Sequence, residues 1–201
     1  GVGRNLHASG RVPRRYDPLR TSSGGRVPSL FHAVPDQMHG TVLYPLNQLE
    51  RVDRAAWERE RAKYEGREQV LDVRVPPLEC LWNDVLHLSP VHPGEIVDEL
   101  RAVGLEPLRR RFFEIDAANL DAARTVVFAN RRASSSDGID GSQWLPFEPD
   151  GLPVLAGFNA ASRRYYRDCA AAGMRPLLWG YLPHVLHRGA LDTRDLPIAE
   201  A

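Results

Sequence analysis

The sequence has little of what usually marks a reaction. It holds two cysteines, Cys80 and Cys169, far apart and without a CxxC spacing. Isolated thiols of this kind read as reduced and buried, which argues against a disulfide framework or a cysteine-built metal site. Lysine occurs once, at Lys63, among 26 basic residues, a bias that reads as G+C-rich coding and not as selection for guanidinium chemistry. Acidic residues also number 26, so net charge is zero. The global electrostatic footprint of a dedicated nucleic-acid binder is therefore missing, and only a local basic face could serve that purpose. No run approaches the roughly 18 apolar residues of a membrane helix. Residues 1–29 contain no apolar core of a secretory signal, so the expected location is cytoplasmic, with no membrane partner. A G-x-S-x-G elbow, a Walker loop, G-x-G-x-x-G and H-E-x-x-H are all lacking, which removes most common enzyme classes.

What is present is ordinary globular material, with 43% hydrophobic residues. A chain this long can bury a full core without staples. Residues 1–28 carry Arg4, Arg11, Arg14, Arg15, Arg20 and Arg26 against Asp17 alone, with almost no apolar periodicity. They read as an extended or disordered arm, either a mobile leader or an anchor for a partner or nucleic acid. Residues 29–201 read as one domain. Strands are expected at Ser29–Val34, Val70–Val75, Asp84–Leu88, Arg111–Ile115, Thr125–Ala129, Leu177–Trp179, Pro183–His187 and Leu196–Ile198, and a strand or turn at Thr41–Tyr44. Helices are expected over Arg54–Tyr64, from Pro93 to Gly104, and over Ala160–Ala172, with Gly66, Gly104 and Gly173 as stops. Residues 134–141 read as a polar loop. Short strands with a few helices, not strictly alternating, make the class α+β.

Histidines are the most informative polar residues. His32, His87, His92, His184 and His187 lie within or beside expected strands or at a helix start, where a side chain that titrates near neutral pH can do acid–base work. His87, His92, His184 and His187 could together hold a metal, but no diagnostic spacing supports one, so no metal is expected. One segment stands apart, Leu81-Trp-Asn-Asp-Val-Leu-His-Leu-Ser-Pro-Val-His-Pro-Gly-Glu. It places Trp82, Asn83, His87, Ser89 and His92 on a strand that runs into a Pro-started helix, whose free N–H groups favour anions. His87 and His92 are its catalytic candidates; Trp82, Asn83 and Ser89 are its binding candidates.

The order of these pieces resembles the ADP-ribosyltransferase fold, nearest to the DarT-type DNA ADP-ribosyltransferases. The resembling pieces are Phe31-His32-Ala33, Val85-Leu-His-Leu-Ser-Pro, Arg111–Leu120 with Thr125–Arg131, and Pro183–Asp192; they span most of 30–198 in scattered parts. The resemblance implies mixed or antiparallel sheets with flanking helices, and NAD as substrate or ligand. It places His32 and Ser89 on the ribose and phosphate side, Tyr44 against the nicotinamide, and His184 in the catalytic position. In that family the position holds a glutamate; His184 has no permanent negative charge to offer an oxocarbenium-like ribosyl centre. The chain also resembles a bacterial family of small cytosolic proteins in its LYPLN, KYEGRE and LWNDVLHLSPVHP pieces.

The leading expectation is thus an NAD- or nucleotide-binding enzyme of ADP-ribosyltransferase type. A non-enzymatic nucleotide- or protein-binding module on the same fold is the alternative, and a histidine–metal hydrolase a third reading. Two structural expectations follow. Trp82, Leu86, Ile96, Leu100, Phe112, Ile115, Val127 and Leu186 should be buried together, and His32, His87 and His184 should face one cleft.

Overall fold

A computed structural model of the chain describes residues 28–38, 40–131 and 141–201. In chain order its strands are β1 (Ser29–Ala33), β2 (Val42–Leu43), β3 (Arg74–Val75), β4 (Cys80–Leu81), β5 (Leu86–Leu88) and β6 (Arg111–Asp116). They continue with β7 (Thr125–Phe128), β8 (Trp144–Pro146), β9 (His184–His187), β10 (Leu191–Asp192) and β11 (Ile198–Glu200). The α-helices are α1 (Leu46–Val52), α2 (Arg54–Ala62), α3 (Pro93–Ala102) and α4 (Ala160–Ala171). The class is α+β with antiparallel sheets. The arm expected over residues 1–28 lies outside the described residues save Pro28, as does the loop expected over 134–141 save Gly141.

Two sheets dominate. One has the order β1-β6-β11 and the other β5-β9-β7-β8, all pairs antiparallel. They are stitched together where Phe31 and Ser89 exchange both backbone bonds, at 2.8 and 2.9 Å. Along β5, β7 and β9 side chains alternate between two buried faces, as period two requires. Leu86, Leu88, Val127 and Val185 join Leu30, Phe113 and Ile115 in a core between the sheets. Val126, Phe128 and Leu186 point the other way and pack with Val75, Leu78, Cys80 and Val85. A third cluster, Val91, Ile96, Leu100, Phe158, Tyr166 and Leu182, is made largely by α3 and α4.

The eight expected core residues therefore do not form one cluster. Leu86, Ile115 and Val127 lie in the first, Leu186 with half-buried Trp82 in the second, and Ile96 and Leu100 in the third. Phe112 is buried but stands three positions from Ile115, so alternation puts it on the opposite face of β6, across from Ala33 and Ala199. The strand expected at Val70–Val75 is mostly a 3-10 turn (Glu68–Asp72). Only Arg74–Val75 pairs, with Cys80–Leu81, because Pro76 and Pro77 have no N–H to extend the ladder. Leu177–Trp179 is a turn closed by Gly180 N–H donating to the Leu177 carbonyl at 3.0 Å. The last strand falls at Ile198–Glu200, two residues later than expected.

The helices form where local chemistry specifies them. Asp53 ends α1 and caps α2, accepting from the Ala56 N–H at 2.9 Å. The exposed face of α2 carries Arg54 between Glu50 and Glu58, one turn away on either side. Asn159 caps α4 through the Ser162 N–H at 2.8 Å.

Candidate functional site

Three strands and a tight turn assemble the site. Trp82–Asp84 forms a 3-10 turn between β4 and β5. Asp84 fixes it, accepting from the Leu81 N–H and from Asn47 Nδ2, each at 2.8 Å. The turn carries the Trp82 indole onto the His87 ring, with centroids 4.7 Å apart. His87 on β5 and His184 on β9 share one face of the four-stranded sheet, and their rings lie 6.0 Å apart, nearly perpendicular. His184 is enclosed by aromatics: Phe128 stacks on it at 6.3 Å, and Trp82 and Trp179 meet it edge-on at 6.1 and 6.3 Å. His32 comes from the other sheet and reaches the same Trp179 at 6.4 Å. The three imidazoles thus gather around one aromatic cluster, two of them within 6.4 Å of the Trp179 ring.

A cavity of about 730 Å³ opens beside this cluster. Its walls include His32, Tyr44, Asn83 and His87, together with Arg59 of α2, Lys63 just after it, and the carboxylates of Asp36, Asp53 and Glu60. Trp82, Ser89, His92 and His184 are not among its lining residues. These four, like His32, Tyr44, Asn83 and His87, are candidates from the sequence, whereas Arg59 and Lys63 are not, their alternating charges marking only an exposed helix over Arg54–Tyr64. The one signal that could have flagged that segment is that the only lysine of the chain sits there.

Hydrogen bonds decide the tautomers of the two cavity imidazoles, and burial decides their charge. His32 Nδ1 lies 2.7 Å from the Ala33 carbonyl, and His87 Nε2 lies 2.9 Å from the Trp82 carbonyl. A carbonyl only accepts, so each of these nitrogens carries the hydrogen. His32 Nε2 and His87 Nδ1 are left as acceptors. Desolvation by burial lowers both pKa values to about 4, outweighing the bond to the carbonyl, so both rings are neutral at neutral pH. Next to them Asn83 is 2% exposed. Neither Oδ1 nor Nδ2 of its amide meets a hydrogen-bond partner among the described residues.

The remaining nominated residues hold structure. Ser89 is fully buried; its Oγ accepts from the Val91 N–H at 3.1 Å and turns the chain out of β5. His92 caps α3 by accepting from the Gly94 N–H at 3.0 Å, with its ring against Phe31. His187 is buried on the far face of β9, donating from Nδ1 to Thr125 Oγ1 at 2.9 Å, while that hydroxyl donates to the Asp121 carbonyl. Both cysteines are free and buried. Among the described residues no group of three or more His, Cys, Asp or Glu side chains gathers as a metal site, and no helix is long and apolar enough to cross a membrane.

Comparison of the chain with known protein families, with curated proteins and with solved structures finds no match in any of the three.

Proposed function

We propose that the chain is a nucleotide-binding enzyme of the ADP-ribosyltransferase type that takes NAD into this cavity. The observation that carries the reading is a pair of neutral imidazoles, one from each sheet, that line the cavity as hydrogen-bond acceptors. Ribose hydroxyls are donors and complement such a pair. Tyr44 offers an aromatic surface to a flat ring, Arg59 offers positive charge to phosphates, and Lys63 would add its own on exchanging Glu60 for a phosphate. The volume falls inside the roughly 300–1,000 Å³ of typical ligand pockets. A ribosyl centre that gains positive charge in the transition state meets no cation at the imidazole end, because both rings stay uncharged.

Two measurements test this. NAD at a hundred times its dissociation constant should stabilise the protein by about 2.7 kcal/mol, a plain rise in melting temperature. Periodate-oxidised NAD, followed by borohydride, should label Lys63, the only lysine of the sequence, and excess NAD should protect it. No NAD-dependent shift together with unprotected labelling defeats the reading.

One observation favours binding without transfer. His184, at the position resembling the family's glutamate, does not line the cavity and is enclosed by Trp82, Phe128 and Trp179. Release of nicotinamide, followed by NMR, separates the two: a thermal shift with no release makes the chain a binding module.

A further inference from the structure

A second concave site, of about 510 Å³, shares no lining residue with the first. It is lined by Pro77, Leu78, Glu79, Ala123, Arg124 and Arg188. Arg124 ends a 3-10 turn (Ala122–Arg124) that is held by Asp121, which accepts from the Ala123 N–H at 2.9 Å. The Arg124 carbonyl accepts from the Arg188 N–H at 2.8 Å, so the two residues are tied backbone to backbone. The Arg124 guanidinium rests on Gly189. A Cβ there would come within 2.3 Å of Nη2, and the backbone at φ +137° is itself one that glycine adopts and side chains rarely do. Arg188 Nη1 donates to the Leu78 carbonyl at 2.9 Å, anchoring the second guanidinium from the other wall.

Among the described residues no carboxylate pairs with either guanidinium. Asp121 and Asp84 are engaged elsewhere: Asp121 caps its own turn, and Asp84 binds Leu81 and Asn47. Glu79 lines the site in a left-handed backbone conformation, φ +50°, without an ion pair. Two held guanidiniums lining one concavity repel each other weakly and attract an anion that both can grip. Their planar forks match oxyanions bidentately. The carboxylate on the rim accepts from a hydroxyl, which suits an anion carrying one.

We propose that this site binds a phosphate group between Arg124 and Arg188, with Glu79 taking a hydroxyl of the same ligand, as in a sugar phosphate. Isothermal titration at matched ionic strength tests it with inorganic phosphate and ribose 5-phosphate as probes. Both should bind saturably, ribose 5-phosphate more tightly. Arg124→Gln and Arg188→Gln should each weaken binding about tenfold or more, since charged hydrogen bonds are lost. Gly189→Ala, which displaces the Arg124 guanidinium without removing it, should weaken binding in the same way. Should Gly189→Ala fail to fold, the two glutamine variants still decide. Phosphate affinity equal in wild type and Arg124→Gln, or no saturable binding, overturns the site; equal affinity for the two probes removes the part given to Glu79. The NAD-dependent thermal shift should be the same in all these proteins, which separates this site from the cavity.

Discussion

The two faces of the four-stranded sheet are built by the same three strands and differ in how their polar groups are satisfied. One face holds Leu86, Leu88, Val127 and Val185, and its buried polar side chains His187 and Thr125 bond each other. The other holds His87 and His184 among Val126, Phe128 and Leu186, with two tryptophans packed beside them. Both are buried, so burial alone does not mark the functional face. Buried polar groups occur on both, and what marks the functional side is one left without a partner where desolvation is costly. His87 has one in the Trp82 carbonyl, but the neighbouring Asn83 amide has none among the described residues.

The largest effect should come from the face that packs against the β1-β6-β11 sheet. Leu88 is fully buried there, and Leu88→Ala should cost about 2–5 kcal/mol in urea unfolding, with little change in any ligand response of the surviving folded fraction. A loss below about 1 kcal/mol would mean that this face is looser than its burial implies.

The next effect is in pH. His32 and His87 have folded pKa values near 4 against 6.5 for an ordinary histidine. Above pH 6.5 neither state binds these protons, and stability is fully present. As pH falls from 6.5 toward 4, the unfolded chain takes up protons that the folded chain excludes, so stability drops by on the order of 3 kcal/mol per ring. Histidine NMR titration checks the sign: rings that titrate near 6.5 in the folded protein would contradict the buried, neutral pair.

His87→Phe sharpens the contrast between the faces. It should cost about 1–3 kcal/mol, because the Trp82 carbonyl loses its donor, and it should abolish the NAD-dependent shift. A variant that retains the full shift would remove His87 from the site. The smallest effect belongs to the outer face of α2. Arg54→Ala breaks two exposed ion pairs, with Glu50 and Glu58, and should change stability by at most about 0.5 kcal/mol.

Much of the local structure was legible along the chain. Pro93 and Gly104 bracket α3, Asn159 and Gly173 bracket α4, and the apolar runs of β1, β6, β7 and β9 lie where alternation put them. The short pairs β8 and β10, and helix α1, gave no periodic signal. A two- or three-residue strand is made by its neighbour's hydrogen bonds and not by its own pattern. His32, Asn83 and His87 stand out along the chain because polar groups in apolar strands or turns are conspicuous, whereas Tyr44 rests on the family resemblance; all four line the cavity. Ser89 and His92 were equally conspicuous but are used by the backbone, as a turn and a cap.

Sequence by itself determined the α+β class, the capped helices and the strands whose two sides could be told apart, because these depend on residues within a few positions of one another. Tertiary structure decided which histidines share a cavity, since His32 and His87 come from different sheets that meet at the Phe31–Ser89 bridge. It also decided their tautomers, through the Ala33 carbonyl of β1 and the Trp82 carbonyl of the packed turn, and it brought α2 and Lys63 to the same cavity. Those are contacts between distant segments, and no period or motif along one segment encodes the position of another.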